Sequence, residues 1–228
     1  MSLLQEKMNR GLGMEVASLA DLVTEQIRQR IITGEFKPGQ QLKEDDLCKL
    51  FAISRPPIRE AFKTLEANGL VMRKPRRGVF VSEFTAKDVV EVYTIVAMLY
   101  RKGMEMAMEK ITKIDRDLLA AQVIRMEDAV KGDPPDLIEY QKAHRSFHEI
   151  IMDIAGNERM KMLEKQLRYQ LSIISYRSFQ RKEHLKASLV LHRQILDAIT
   201  KKNRAEAMDL TEHHVVSAME SLVKEMAG

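Results

Sequence analysis

The chain contains the stretch Ile53-Ser54-Arg55-Pro56-Pro57-Ile58-Arg59-Glu60-Ala61-Phe62. Ser54 is a favourable N-cap residue, because its hydroxyl can accept a free amide hydrogen at a helix start. Proline in the first turn has a suitable φ angle and no amide to leave unpaired. Apolar residues follow at spacings of three and four positions, and they are Ile58, Ala61, Phe62 and Leu65. The pattern ends at Asn68-Gly69 and predicts a short helix with one buried face.

The opposite face of this predicted helix is basic. Arg55, Arg59 and Lys63 follow one another at intervals of four residues, so they lie one above another on the exposed side. Arginine side chains at the start of a helix can match guanine edges and phosphates in a DNA groove. For a helix considered alone, a simple solvated basic face is the better interpretation. The neighbouring segments determine whether the helix is instead part of a DNA-binding motif.

Those neighbours complete a recognisable motif. Residues 44–51 predict a second short helix, and only two residues join it to the first, which is typical of a helix-turn-helix. Residues 70–81 predict a hairpin with a basic tip at 75–78. A further amphipathic helix is expected over about 18–33. From Arg55 to Arg77 there are seven Lys and Arg against two Asp and Glu. We therefore predict a winged helix-turn-helix with a positive surface.

Four segments together resemble the DNA-binding domain of the GntR family of bacterial transcription regulators. They are Ile32-Thr33-Gly34-Glu35-Phe36-Lys37-Pro38-Gly39-Gln40-Gln41-Leu42, Ser54-Arg55-Pro56-Pro57-Ile58-Arg59-Glu60-Ala61, Asn68-Gly69-Leu70-Val71 and Arg76-Arg77-Gly78-Val79-Phe80-Val81. The resemblance implies that Arg55 and Arg59 contact the operator, Arg73 the DNA backbone, and Gly78 with its neighbours the minor groove. Asp45 departs from the pattern, since several family members carry a base-reading arginine there.

The predicted DNA-contacting set follows from the motif and the resemblance together. It comprises Ser54, Arg55, Pro56, Arg59, Lys63, Arg73, Arg76, Arg77 and Gly78. Charge placement agrees with this set, because residues 1–82 contain 14 Lys and Arg against 10 Asp and Glu, whereas residues 83–228 contain 23 of each. The excess positive charge lies entirely in the segment expected to bind nucleic acid.

Composition restricts the class of protein. The chain of 228 residues is 45% hydrophobic and 31% charged, with one cysteine, Cys48, and no apolar run of membrane-spanning length. We therefore expect a cytoplasmic protein with no membrane association and no disulfide framework. Residues 1–14 are expected to form a flexible tail, residues 15–82 the winged domain, and residues 83–228 a helical domain.

The second half predicts about six long amphipathic helices and no strand, so the fold class is mostly α with a small β-hairpin wing. All six histidines lie between residues 144 and 214. His144 and His148 share one helix face, while His192 and His214 fall on two later helices. Three helices that each offer an imidazole can build a divalent metal site inside a bundle. From spacing alone, scattered surface histidines are the alternative.

Residues 84–228 resemble the ligand-binding FCD domain of the FadR-type branch of the GntR family, in its six-helix, VanR-like variant. The resemblance rests on Phe147-His148, Ala155-Gly156-Asn157, the run from His192 to Ile199, and Ala207 with His214-Val215. It implies that His148, His192 and His214 bind a metal ion. His144 stands where such domains have an aspartate. Imidazole in that position favours zinc or nickel over harder ions, whereas His184 and His213 do not fit the pattern and are expected at the surface.

The resemblance also implies a small carboxylate effector. Such domains commonly have an arginine followed four residues later by a glutamate in the first helix, but this chain has Val96 and Tyr100 there. Candidates for the effector-binding role are Arg101, Arg168 and Arg177. For each of them, a solvated helix arginine is the alternative.

These observations predict a ligand-responsive transcription regulator that binds an inverted-repeat operator in double-stranded DNA as a homodimer. A direct metal sensor without an organic effector is the alternative. A metal-dependent hydrolase with an attached DNA-binding domain is the third possibility. Helical hydrolases of that kind rely on adjacent His and Asp, and none of the histidines here is followed by Asp. The chain is therefore not expected to be an enzyme.

Overall fold

The computed structural model describes residues 18–227. The tail predicted for residues 1–14 lies outside the described residues. The chain divides into two compact units, and the division falls between Glu83 and Phe84.

The N-terminal unit combines three helices with a small sheet. Its elements are α1 (Leu19–Ile32), β1 (Gln41–Leu42), α2 (Glu44–Phe51), α3 (Arg55–Ala67), β2 (Val71–Lys74) and β3 (Gly78–Val81). The sheet is antiparallel with strand order β1-β3-β2. The winged helix-turn-helix predicted from the sequence is therefore confirmed as the architecture of this unit.

The turn between α2 and α3 is tight because Ala52 adopts a left-handed conformation with φ of 55°. The amide of Ile53 then donates to the carbonyl of Cys48 at 3.1 Å. Ser54 occupies the N-cap position of α3, but its hydroxyl makes no capping hydrogen bond. That expectation was wrong for a local reason. The amides that such a hydroxyl caps belong to the second and third helical residues, and these are Pro56 and Pro57, which have no N–H.

The C-terminal unit is built from six helices within the described residues. They are α4 (Ala86–Ala107), α5 (Lys113–Ala129), α6 (Leu137–Ala155), α7 (Glu158–Phe179), α8 (Lys182–Thr200) and α9 (Arg204–Ala227). The expectation of about six helices and no strand is confirmed for the described residues of this unit. No helix in the described part of the chain is both long and apolar enough to cross a membrane.

Helix α6 packs against α4, α5 and α7 and carries the first two histidines. It begins after Asp136, whose side chain accepts from the amide of Glu139, and ends at Gly156 in a left-handed conformation with φ of 66°. Its buried stripe is Tyr140, Ala143, Phe147, His148, Ile151, Met152 and Ala155. His148 therefore belongs to the core face, and His144 lies one turn before it on the same side.

Candidate metal centre and nucleic-acid interface

The residues predicted to contact DNA are all exposed in the N-terminal unit. They are Ser54, Arg55, Pro56, Arg59, Lys63, Arg73, Arg76, Arg77 and Gly78. Burial of the apolar stripe of α3 explains this arrangement, because Ile58 and Leu65 are completely inaccessible to solvent. The basic side of the same helix must then face outward.

The two leading arginines of α3 are already paired with acidic residues of α2. Arg55 contacts Asp45 at 2.9 Å, and Arg59 contacts Glu44 at 2.9 Å. Both arginine side chains are more than half exposed, at 59% and 58%. Ion pairs of this kind contribute only about 0–1 kcal/mol. The guanidinium groups can therefore exchange these partners for bases or phosphates at little cost.

The tip of the wing presents two arginines in a different setting. The amide of Arg77 donates to the carbonyl of Lys74 at 3.0 Å, which closes a turn with Pro75 and Arg76 in its centre. Arg76 has a φ of 60°, the positive value that a type II turn requires at that position and that usually selects glycine. Within the described residues, neither Arg76 nor Arg77 takes part in an ion pair. Their charges are therefore free to meet phosphates.

Four histidine side chains meet inside the C-terminal unit. His144 and His148 project from α6, His192 from α8 and His214 from α9. One ring nitrogen of each lies within 4.8 Å of the corresponding nitrogens of the other three. The Nε2 atoms of His144 and His214 are 3.0 Å apart, and those of His148 and His192 are 3.3 Å apart. The structure thus brings together the residues that the sequence offered as metal ligands.

The protonation state of the cluster suits coordination. His192 Nδ1 lies 2.8 Å from the carbonyl oxygen of Ser188, so this nitrogen donates its proton there and Nε2 keeps its lone pair toward the cluster. Burial lowers the pKa of His192 to about 4. Burial, and then the neighbouring imidazoles, hold the pKa values of His144, His148 and His214 well below 6.5. All four rings are therefore neutral at neutral pH.

The donor set fits a borderline metal ion. Zinc–nitrogen bonds of about 2.0–2.1 Å in a tetrahedral arrangement place the ligand atoms about 3.3 Å apart. The two closest nitrogen pairs, at 3.0 and 3.3 Å, approach that separation. Neutral imidazoles suit zinc, nickel and copper, and they provide no negative charge for a hard ion such as magnesium. The cluster could therefore hold a divalent transition metal ion.

A cavity adjoins the cluster, and we call it the histidine cavity. It opens to solvent, and its space amounts to about 600 Å³ when that opening is counted. His144, His148 and His214 line it together with two guanidinium groups, those of Arg145 and Arg168. A molecule in this cavity would therefore touch both the imidazoles and a positive charge.

Arg168 is held by two carboxylates. Its Nε donates to both oxygens of Glu164 at 3.1 Å, and its terminal nitrogens donate to Glu164 and Glu149. Glu164 is 1% exposed and also accepts a hydrogen bond from the hydroxyl of Tyr100 at 3.1 Å. Tyr100 in turn stacks on His148 with ring centroids 4.5 Å apart. The network therefore connects the arginine of the cavity to one of the histidines.

The other two arginines considered for the effector do not line the cavity. Arg101 pairs with Asp209 at 2.6 Å and Glu212 at 2.8 Å, and so links α4 to α9. Arg177 is exposed on α7. Both sit on helix faces that turn away from the cavity, which the spacing of charged residues could not reveal.

Sequence reasoning missed two residues of the site. Arg145 lines the cavity with its Nε buried and without a hydrogen-bond partner in the described part of the chain. Its place directly after His144 was a usable signal, because adjacent helix positions lie about 100° apart and can share one cavity. His184 was expected at the surface, but it is only partly exposed and borders the same cavity. His184 had been assigned to the surface because it has no counterpart in the FCD pattern, although it lies on the same helix as His192.

Comparisons with known proteins agree in both units. The profile of the family described as "Bacterial regulatory proteins, gntR family" matches residues 19–81, and that of the FCD domain matches residues 91–217. An uncharacterised HTH-type transcriptional regulator of Bacillus subtilis, YdhC, is 32% identical over 185 residues, which are 80% of this chain and 81% of that protein. The gluconate operon transcriptional repressor of the same organism is 27% identical over 198 residues, 83% of this chain and 79% of its own.

Solved structures share the fold. A crystal structure assigned to a transcriptional regulator GntR from Rhodococcus sp. RHA1 has a TM-score of 0.76 at 24% identity and covers 90% of this chain and 97% of its own. E. coli McbR/YncC has a TM-score of 0.73 at 20% identity and covers 92% of this chain and 97% of its own. The matching families are regulators rather than enzymes. This chain therefore belongs to the GntR family of bacterial DNA-binding transcription regulators, in the group whose C-terminal part is an FCD domain.

Proposed function

We propose that this regulator binds an inverted-repeat operator as a homodimer, and that a small carboxylate bound beside a divalent transition metal ion, zinc or nickel, controls that binding. Residues 15–82 would bind DNA, and residues 83–228 the metal ion and the effector. The observation that carries the proposal is the convergence of four histidine nitrogens within 4.8 Å at a cavity that also contains the Arg168 guanidinium. Because the operator is chromosomal DNA, we place the protein in the cytoplasm.

On the DNA side, Arg55 and Arg59 would read bases in the major groove from the start of α3. Arg73, Arg76 and Arg77 would contact phosphates or the minor groove. All five arginines are exposed, and the ion pairs of Arg55 and Arg59 with α2 are weak, which supports these roles. One recognition helix reads few base pairs, so two copies related by a dyad would be required for useful specificity.

On the effector side, Arg168 would bind a carboxylate. Its bonds to Glu164 and Glu149 use three of the five guanidinium N–H groups, so two remain for an effector oxygen. The Nε of Arg145 is buried without a hydrogen bond, 3.7 Å from a carboxylate oxygen of Glu149, and would supply one more donor. A nickel ion held by His144, His148, His192 and His214 would also offer a coordination position to the same acid, whereas a tetrahedral zinc ion would leave the acid to the arginines. Glu149 competes for Arg168, and Glu149→Gln should therefore tighten effector binding.

Direct metal sensing is the second candidate, and one observation favours it. Four imidazoles complete the coordination of a tetrahedral ion, which leaves no position for an organic oxygen on zinc. Nickel accepts six ligands in many sites, so the same four imidazoles would leave positions open. The choice of metal therefore separates the two candidates.

The experiment starts from protein purified without chelator or nickel resin. Elemental analysis should show one zinc or nickel per chain, and removal of the ion should lower the melting temperature. Operator DNA selected by the protein from random sequences is then titrated with metal alone, and with metal plus small acids. Gluconate belongs in the panel because one relative represses a gluconate operon. Absence of both stoichiometric metal and a thermal shift on adding zinc or nickel would refute the proposal.

The same titration shows whether an organic acid or the metal ion alone controls DNA binding. A change in operator affinity that requires an acid supports the effector hypothesis, and Arg168→Ala should abolish it. A change produced fully by metal alone supports the metal sensor. Sedimentation of the free and DNA-bound protein tests the homodimer, and a monomer in both states at micromolar concentration would contradict it.

A further inference from the structure

A second cavity reaches the histidine cluster between α8 and α9, and we call it the α8–α9 cavity. It contains about 570 Å³ of space, much of it open to solvent. Its lining includes Arg181, Glu183 and Ala187 on one side and Ser217 and Ser221 on the other. His184 and His214 line both this cavity and the histidine cavity. These two imidazoles therefore lie where the two cavities adjoin, and one of them, His214, belongs to the cluster itself.

His184 has ring nitrogens available for a ligand. Its ring stacks on Phe179 with centroids 5.9 Å apart, and Phe179 contacts the ring of His144 edge-on at 5.2 Å. No hydrogen bond to His184 is found among residues 18–227. The side chain is partly exposed, so its nitrogens are not among the buried polar atoms that lack a partner. An imidazole placed in this way can bind a metal ion without losing another contact.

The charges of the two cavities differ in a way that matters for a cation. The two guanidinium groups that line the histidine cavity, those of Arg145 and Arg168, are paired with the carboxylates of Glu149 and Glu164. The lining of the α8–α9 cavity includes Glu183, while Arg181 is within 3.6 Å of a carboxylate oxygen of Glu225. Among the described residues Glu183 takes part in no ion pair, so its carboxylate attracts a divalent cation at the α8–α9 cavity, whereas the carboxylates near the histidine cavity are already paired with arginines.

We propose that the metal ion reaches the four-histidine site through the α8–α9 cavity, and that His184 is a transient ligand that receives the ion and passes it to His214. The inference rests on the metal site proposed above. His184 is not one of the four converging ligands; it is a positioning residue for uptake and release. A transient ligand lowers the barrier in both directions, so it changes the rates of binding and release by the same factor and leaves the equilibrium constant unaltered.

The test uses full-length, metal-free protein and Co²⁺, whose visible absorption reports nitrogen coordination. Stopped-flow mixing measures the binding rate, and mixing of the Co²⁺ form with excess chelator measures release. We expect His184→Ala to slow both by about tenfold, the scale on which a side chain that supports a metal site alters it, with an unchanged dissociation constant. His213→Ala is the matched control, because His213 is exposed and lines neither cavity.

A second pair of variants keeps the test independent of folding defects. Ala187 is an exposed helical residue at the α8–α9 cavity. Ala187→Glu and Ala187→Lys differ only in the charge that they place there. At low ionic strength, Co²⁺ should bind the glutamate variant several-fold faster than the lysine variant, and the two rates should converge as salt is added.

These outcomes distinguish the proposed entry route through the α8–α9 cavity from the four-histidine metal site itself. Wild-type rates in His184→Ala, or equal rates in the two Ala187 variants, would refute the passage alone. A weaker equilibrium affinity in His184→Ala with an unchanged binding rate would make His184 a resident ligand, which also refutes the proposal. Absence of stoichiometric Co²⁺ binding by the wild-type protein would refute the metal site and the passage together.

Discussion

Helix α3, which we propose reads DNA, and the histidine cluster differ in the solvent exposure of their side chains. The side chains of Arg55 and Arg59 are 59% and 58% exposed, whereas His192 is completely buried. An exposed charge keeps most of its hydration, so its partners add little to the free energy of unfolding. A buried imidazole loses its hydration and must remain neutral or bind an ion. The DNA surface can therefore change without affecting the fold, and the cluster cannot.

The largest expected effect comes from removing one central ligand. His192→Ala should abolish stoichiometric metal binding, because His192 is held by Ser188 and its ring lies against all three of the other histidines. A ligand at a thousand times its dissociation constant adds about 4 kcal/mol to the free energy of unfolding, and this gain should disappear. Urea unfolding with and without zinc measures it. His213→Ala should retain the full gain. An equal zinc response in both variants would contradict the role of His192 as a metal ligand.

Acid should destabilise the metal-free protein through the same cluster. The pKa of His192 is lowered to about 4 by burial, so the unfolded chain binds a proton more readily between pH 6.5 and 4. Stability is therefore complete above about pH 6.5 and falls as the pH decreases toward 4, by about 3 kcal/mol for this residue. Urea unfolding of metal-free protein across this range measures the slope. A free energy of unfolding that stays constant from pH 7 to pH 5 would contradict the environment described for the cluster.

Substitutions on α3 should change operator binding and leave the free energy of unfolding nearly unaltered. Arg55→Ala or Arg59→Ala should weaken operator binding by about 1–3 kcal/mol and relax its specificity, while the free energy of unfolding changes by less than about 0.5 kcal/mol. Binding titrations at several salt concentrations measure the first quantity. Arg193→Ala is a matched control, since Arg193 is also half-exposed and paired, to Glu127 at 2.6 Å. Unchanged operator affinity in both recognition-helix variants would remove their DNA role.

The smallest effect is expected at the wing tip, where two adjacent arginines, Arg76 and Arg77, differ in backbone conformation. Arg76→Gly relieves the positive φ of 60°, a gain of about 1–2 kcal/mol, but increases the freedom of the unfolded chain. We expect a net stabilisation of about 0.5 kcal/mol together with weaker operator binding and a salt slope reduced by about one. Arg77→Ala removes the same charge from a residue without positive φ and should weaken binding with no gain in stability. Tighter operator binding by Arg76→Gly would contradict the role of the wing.

Much of the architecture follows from local sequence signals. Short connections and alternating patterns determine the winged unit, because two residues between α2 and α3 leave a single arrangement of neighbouring helices. Helical periodicity likewise predicted the six helices of the second unit, and the spacing of His144 and His148 placed them on one face. In each case the relevant contacts lie within a few turns, where chain geometry alone limits the outcome.

Only the tertiary structure decided which charged residues surround the cavity. Periodicity defines a face relative to the axis of its own helix, and does not specify which neighbouring helix covers that face. Arg168 turned toward the cluster, Arg101 and Arg177 did not, and Arg145 and His184 joined it unforeseen. The buried Glu164 that orients Arg168 lies 64 residues from its other partner, Tyr100. Contacts at such separation depend on how the helices pack around the whole core, and no local pattern in the sequence encodes them.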